Sequence, residues 1–211
     1  GFLPEALLNY ISLLGWNPGT EKEIFELEEL IHLFDIGKIQ KGGARFDFNK
    51  ARWINHKFIE RSESKSVLGR FPAFFSTMST VGSEKSKLAI YELLKERLFL
   101  LEDFKSEANL LFNDPTKYDE KAIKKIENSK PEKALNFLIE LIEKNIPAAN
   151  WKQKLQTWNE KADIPFGVIM QSLRLAIVGS LSGPDIFSVC GLLEKEVTLR
   201  RLKKLIIYLN N

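Results

Sequence analysis

Four residues near the C-terminal end of the chain have types and spacing suited to binding an unpaired nucleobase. Arg174 lies in a helical pattern, and Gly183, Pro184 and Ile186 follow it across a short break. An arginine can bond to a base edge or a phosphate through two nitrogens, and its planar guanidinium can stack on a ring. A Gly-Pro turn allows close approach to its backbone, and the aliphatic residue after it offers an apolar platform. The pattern predicts recognition chemistry; the alternative interpretation is a solvated charge followed by an ordinary turn.

Residues for catalysis or metal binding are not grouped in the sequence. The chain has two histidines, His32 and His56, and one cysteine, which cannot complete a zinc site with them. Because His32 lies within an apolar stripe, we interpret it as a core or boundary residue rather than a ligand or a base. The pair Gly42 and Gly43 lacks the strand-to-helix context and the lysine of a phosphate loop. We therefore predict no catalytic, cofactor-binding or metal-binding residue in this chain.

The charge balance is almost even, with 31 Lys and Arg against 28 Asp and Glu in 211 residues and a formal net charge of +3. This is below the strong basic bias of proteins that bind nucleic acid nonspecifically. A local basic patch can still contact phosphates. The candidate patches, each also explicable as a solvated helix face, are Arg200, Arg201, Lys203 and Lys204, and more weakly Lys121, Lys124 and Lys125.

The single cysteine, Cys190, excludes an internal disulfide, and its apolar neighbours indicate a buried thiol in a reducing compartment. No apolar run approaches the roughly 18 residues of a membrane span. We expect a soluble, cytoplasmic protein.

Apolar residues recur at helical spacing almost throughout the chain, which predicts an all-α fold of irregular helical bundles. The first helix is predicted from the stripe Leu3, Leu7, Ile11 and Leu14. Pro4 should lie in its first turn and Gly15 at its end. Asp47 is predicted to cap a later helix.

The longest helix is predicted to run from Glu84 through Ala108 until Asn113, Asp114 and Pro115 break it. The stretch before it, residues 60–83, is rich in serine and interrupted by glycine and proline. Its phenylalanines nevertheless suggest packing, so we expect short helices or an ordered loop there.

Three segments of the chain carry distinctive motifs. Residues 171–202 contain Gln-x-Leu-Arg, then Gly-Pro-Asp-Ile-Phe, then Glu-Lys-Glu leading into Leu-x-Arg-Leu, and residues 46–55 contain Phe-Asp-x-x-Lys-x-x-Trp-Ile-Asn. Together they resemble the C-terminal region of bacterial-type glutamyl-tRNA synthetases. Residues 1–19 are similar to the segment after this family's ATP-binding loop, so the resemblance extends over the whole chain.

The resemblance implies a division into three parts. Residues 1–60 correspond to part of a helical stem-contact domain, and residues 61–130 and 131–211 to two helical subdomains of the anticodon-binding region. The second boundary is set near Lys130, where Asn128 to Pro131 interrupt the helical pattern.

The resemblance also implies that Arg174, Gly183, Pro184, Ile186 and Arg97 contact anticodon bases. Gly183 departs from family members that have threonine there, so only backbone contacts remain at that position. For Arg97 a surface ion pair is an equally good interpretation.

Two residues of the segment 46–55 match the family's Trp-x-Asn. These are Trp53 and Asn55, and we interpret Trp53 as a core residue because a tryptophan at helical spacing usually packs inside.

The family's His-Ile-Gly-His-like and Lys-Met-Ser-Lys-like motifs are absent from the sequence. We therefore expect a C-terminal fragment of a glutamate-tRNA ligase that binds tRNA, recognises its anticodon and catalyses nothing alone. The full-length enzyme would use ATP and magnesium, act on glutamate tRNA and be a monomer; whether it also accepts glutamine tRNA is left open. The alternative is a helical protein-interaction scaffold without RNA binding.

Overall fold

The computed structural model describes residues 1–40, 42–78 and 83–210, and within these ranges the chain is helical. The β pairing in the described ranges is one isolated antiparallel bridge, between Trp16 and Ile39. The predicted all-α class is confirmed. The α-helices are α1 (Pro4–Gly15), α2 (Leu27–Leu33), α3 (Phe48–Arg61), α4 (Ser64–Arg70), α5 (Glu84–Leu94), α6 (Asp103–Phe112), α7 (Glu120–Ile126), α8 (Pro131–Glu143), α9 (Trp151–Ala162), α10 (Phe166–Val178), α11 (Ile186–Leu192) and α12 (Lys195–Leu209). Short 3-10 helices cover Ile36–Lys38, Pro72–Met78, Lys95–Arg97, Glu127–Ser129 and Ala148–Asn150.

Local start and stop signals act as the sequence predicts. Helix α1 begins at Pro4 and ends at Gly15. The carboxylate of Asp47 accepts hydrogen bonds from the backbone N–H groups of Asn49 at 2.9 Å and Lys50 at 3.1 Å, and so begins α3.

The apolar stripe that predicts α1 does not coincide with the face that α1 buries. Ala6 and Tyr10 are buried where α1 packs against α3, whereas Leu7 and Ile11 are 36% and 53% exposed. Helix α1 therefore presents apolar side chains on a second face.

The predicted long helix from Glu84 is wrong, because the chain leaves helical geometry between α5 and α6. Leu98 is extended, with φ −90° and ψ 118°. The carboxylate of Asp103 accepts hydrogen bonds from the N–H groups of Phe99 at 3.0 Å and Leu100 at 2.9 Å, which holds the non-helical segment just before α6. The carbonyl of Phe99 accepts a hydrogen bond from Asn55 at 2.6 Å. The longest described helix is instead α12, with 15 residues.

The stretch from 60 to 78 forms the end of α3, then α4 and a 3-10 helix that is kinked at Phe75. The expectation of short helices is confirmed for this part, while residues 79–82 lie outside the described residues. Phe75 packs edge-on against Tyr91 and Phe104, with ring centroids 5.4 and 4.9 Å apart, so this stretch contributes to the core.

The chain forms two compact units, an N-terminal unit from Gly1 to Ser106 and a C-terminal unit from Glu107 to Asn211. In the C-terminal unit, α10 is central and packs against α7, α8, α9, α11 and α12. Its inner residues Ile169, Leu173 and Ile177 are fully buried. The segment after α10 is thus anchored to the most enclosed helix of this unit.

Candidate functional site

Arg174 lies on α10 one turn before the helix ends, and its side chain reaches forward over the following turn. Its Nη1 donates a hydrogen bond to the carbonyl oxygen of Pro184 at 3.0 Å. The residue is half-buried. Folding therefore joins two of the predicted site residues directly.

Helix α10 ends at a glycine that no other residue can replace easily. Gly179 has φ +78°, and a Cβ built there would lie 2.6 Å from the carbonyl oxygen of Lys117. The carbonyl of Gly179 accepts a hydrogen bond from the N–H of Asp119 at 2.9 Å. The start of the turn is therefore fixed by the chain before α7.

The end of the turn is fixed by the start of α11. Asp185 accepts a hydrogen bond from the N–H of Ser188 at 2.8 Å and caps the helix. Pro184 is buried and Ile186 is only 1% exposed. Their side chains support the turn from inside, whereas Ser182 and Asp185 are exposed to solvent and Gly183 is half-buried.

Gly183 lies against the guanidinium of Arg174. Its φ is +151°, and a Cβ at this position would be 3.1 Å from Nη1 of Arg174. The four predicted residues Arg174, Gly183, Pro184 and Ile186 thus meet at one turn, hereafter the 179–185 turn. The fifth, Arg97, is half-buried in the 3-10 helix Lys95–Arg97 of the N-terminal unit.

Of the basic patch predicted on α12, the assignment of Arg201 is wrong, because Arg201 is only 1% exposed and cannot reach a phosphate. Its guanidinium donates to the carbonyl oxygens of Leu110, Ile177 and Asn113, each at 2.8 Å. These carbonyls lie at the C-terminal ends of α6 and α10, so a buried cation satisfies helix ends that lack internal partners. Lys203 is exposed.

Asp114 balances the charge of two neighbouring arginines. It accepts hydrogen bonds from Arg200 Nε at 2.8 Å and Nη2 at 2.9 Å, and from Arg201 Nε at 3.0 Å. The hydrogen bond from Arg200, followed by that from Arg201, lowers the pKa of Asp114 from 3.8 to about 2. The sequence indicated Asp114 only as a helix breaker, because its partners lie 86 and 87 residues further along the chain.

The histidines differ from the sequence-based interpretation in one case. His32 is exposed on α2, so its assignment to the core or boundary is wrong. His56 is buried, with Nδ1 2.9 Å from the carbonyl oxygen of Leu98 and Nε2 3.0 Å from a carboxylate oxygen of Glu60. These contacts are structural links within the N-terminal unit.

Trp53 is 36% exposed, so its interpretation as a core residue is wrong, and the ammonium of Lys50 lies 4.7 Å from its ring centroid. Asn55 is the buried member of the pair. Its Oδ1 accepts a hydrogen bond from the N–H of Leu3 at 2.7 Å.

Cys190 is buried in α11, as predicted, and burial raises the pKa of its thiol to about 12. Across residues 1–40, 42–78 and 83–210, no three His, Cys, Asp or Glu side chains lie together in a way that could hold a metal ion. In the same ranges, no helix combines the length and apolar character needed to cross a membrane.

The C-terminal unit is thus a helical unit that holds a half-buried arginine over a glycine-proline turn. Residues 53–206 match the family model described as "Anticodon binding domain", and the chain belongs to this family.

Relatives and solved structures agree with that assignment. The chain is 35% identical to a glutamate–tRNA ligase of Porphyromonas gingivalis and 36% identical to one of Flavobacterium johnsoniae, each over 208 residues. Its sequence is 34% identical to that of a glutamate tRNA ligase from Elizabethkingia meningosepticum whose crystal structure is known. The two structures superimpose with a TM-score of 0.87 over 99% of the chain. The match covers 41% of each of the two relatives and 42% of that structure's chain.

Proposed function

We propose that this chain binds tRNA and recognises its anticodon at the 179–185 turn. The observation that carries the proposal is the hydrogen bond from Arg174 to Pro184, in a chain that belongs to the anticodon-binding family. A guanidinium directed by a fixed carbonyl is suited to bonding along a base edge, and unpaired bases are read in this way. Pro184 and Ile186 support the turn from its buried side, and Arg97 is proposed as a further anticodon contact.

We further propose that the chain works within a longer glutamate–tRNA ligase. Its similarity to about two fifths of such ligases supports this. The whole protein would attach glutamate to tRNA with ATP and magnesium as a cytoplasmic monomer. Within it, residues 1–60 would belong to the stem-contact domain, and residues 61–130 and 131–211 would form the two anticodon-binding subdomains.

The rival function, a protein-interaction scaffold, is favoured by the exposed apolar side chains of the N-terminal unit. Ile31 is 66% exposed, and Ile36 is 78% exposed. Contiguous exposed apolar surface usually marks an interaction site. In our proposal, this surface contacts the remaining part of the ligase.

The test is binding of a labelled RNA hairpin carrying the anticodon arm of glutamate tRNA, compared with a hairpin in which the anticodon bases are replaced. Two variants separate base readout from phosphate attraction. Arg174→Ala should weaken the glutamate hairpin by about 1–3 kcal/mol and the replaced hairpin much less. Lys203→Ala, which removes an exposed cation of α12, should weaken both alike and reduce the slope of log affinity against log salt by about one.

Equal binding of both hairpins, with no effect of Arg174→Ala, would leave only phosphate attraction and contradict the proposal. No binding of either hairpin by the folded chain would favour the scaffold. A third hairpin, carrying the anticodon arm of glutamine tRNA, shows whether the site accepts both tRNAs.

A further inference from the structure

Gly183 and Arg174 share one space at the 179–185 turn. A Cβ at Gly183 would lie 3.1 Å from Nη1 of Arg174, which is closer than most real Cβ contacts, and 4.0 Å from Cγ1 of Val178. The missing side chain therefore leaves the room that the guanidinium occupies.

The same nitrogen of Arg174 donates to the carbonyl oxygen of Pro184 at 3.0 Å. A guanidinium is a rigid planar fork of five N–H donors, so a bond at one nitrogen restricts the direction of the others. The acceptor is itself held in place, because the proline ring fixes its φ and Asp185 caps the next helix. The turn thus controls how Arg174 presents its donors.

We propose that Gly183 is a specificity-determining position for anticodon readout, because it admits the guanidinium of Arg174 against the turn and so sets the direction of its donors. This inference rests on the function proposed above. Gly183 acts through Arg174 and is a positioning residue, whether or not its own backbone touches RNA.

A methyl group at position 183 should press on the guanidinium of Arg174 and should also strain the backbone of the turn, because φ +151° is a conformation that residues with a side chain rarely adopt. The atom it meets is the far end of a flexible side chain, whereas the turn is fixed at Gly179 and Asp185. A displacement of a few tenths of an ångström weakens the bond to Pro184 and turns the guanidinium, but it leaves the positive charge nearby. Discrimination between bases should fall while salt-dependent attraction to RNA remains.

The experiment is a double-mutant cycle on the full 211-residue chain with Gly183→Ala, Arg174→Ala and the two combined. The quantity measured is the ratio of dissociation constants for the replaced and the glutamate hairpins. Arg174→Ala is expected to lower this ratio about tenfold, and Gly183→Ala is expected to lower it by a smaller factor. The combined variant should lower it no further than Arg174→Ala, because residues that act through one contact are not additive.

Gly19→Ala is a control for alanine substitution at a positive φ away from Arg174. Gly19 also has a positive φ, +85°, but a Cβ there would meet nothing within 4 Å, so the ratio should not change. Thermal unfolding followed by circular dichroism shows whether each variant is folded. If Arg174→Ala does not fold, Arg174→Lys replaces it in the cycle, because lysine keeps the positive charge but lacks the planar guanidinium.

Additive effects of Gly183→Ala and Arg174→Ala would overturn the inference, since the glycine would then act independently of the arginine. An unchanged ratio for Gly183→Ala alongside a lowered ratio for Arg174→Ala would also overturn it, while leaving the proposed function intact. If the unaltered chain does not distinguish the hairpins, the proposed function fails and the inference fails with it.

Discussion

The N-terminal and C-terminal units differ in how completely they bury their large apolar side chains. Among the described residues, thirteen exposed large apolar side chains lie in the N-terminal unit, against two in the C-terminal unit, Ile207 and Tyr208. The C-terminal unit closes its core around α10, whereas the N-terminal unit leaves apolar faces on α1 and α2 exposed. The C-terminal unit, hereafter the closed unit, carries the proposed RNA site next to the buried helix α10. The N-terminal unit, hereafter the open unit, exposes apolar surface.

The largest expected effect comes from Arg201, the buried cation of the closed unit. Arg201→Met keeps an apolar stem but removes the donors to Leu110, Asn113 and Ile177 and one partner of Asp114. We expect the free energy of unfolding to fall by about 3–5 kcal/mol, because buried acceptors lose their partner. Urea unfolding measures this change.

Arg200→Met is the matched control, because Arg200 bonds to the same Asp114 from the exposed side. The loss of stability should be smaller, because Arg200→Met removes only the bonds to Asp114 and leaves the buried carbonyl oxygens with their partner. Equal losses from the two variants would show that the carbonyl contacts of Arg201 contribute little.

A pair of isoleucines compares the two units directly. Ile186→Ala, at a position that is 1% exposed in the closed unit, should cost about 2–5 kcal/mol of unfolding free energy. Ile36→Ala, at a position that is 78% exposed in the open unit, should change it by less than about 0.5 kcal/mol. Chemical denaturation of both variants tests the contrast, and similar costs would contradict it.

Acid should weaken the closed unit through Asp114. The folded-state pKa of Asp114 is about 2, below its ordinary value of 3.8, so the carboxylate adds stability that is fully present above pH 4. This stability, about 2 kcal/mol, should be lost as the pH falls from 3.8 through 2. The measurement is urea unfolding at pH 5 and pH 2.5 for the chain and for Asp114→Asn. The difference between the two proteins should shrink at the lower pH, and a constant difference would contradict the assignment.

The helices were predictable because their signals are local. Pro4, Gly15 and Asp47 act on the nearest turn of backbone, and apolar spacing reports a helix whichever face is buried. The break between α5 and α6 was not predictable in this way. There the backbone is held by Asn55 and His56, more than 40 residues earlier in the chain.

The same distinction applies to the site. Arg174 and Pro184 are ten residues apart, so a helix followed by a Gly-Pro turn was enough to indicate them. Arg201 was assigned to a surface patch because its acceptors lie far away in sequence. Trp53 was assigned to the core because tryptophans at helical spacing are usually buried. Spacing alone does not show which face of the helix is covered, and in the structure Trp53 is 36% exposed.

The smallest expected effect on stability, and the sharpest test of the open unit, is Ile31→Ser on α2. Ile31 is 66% exposed, so the free energy of unfolding should change by less than about 0.5 kcal/mol. Binding of an apolar dye and aggregation at high concentration should both decrease, because the variant removes part of an exposed apolar face. The adjacent Leu30→Ser is the control: Leu30 packs in a cluster with Trp16 and Phe25, and its loss should unfold part of the unit. If Ile31→Ser costs as much stability as Leu30→Ser, then this face is covered within the chain itself, and the contrast between an open and a closed unit is wrong.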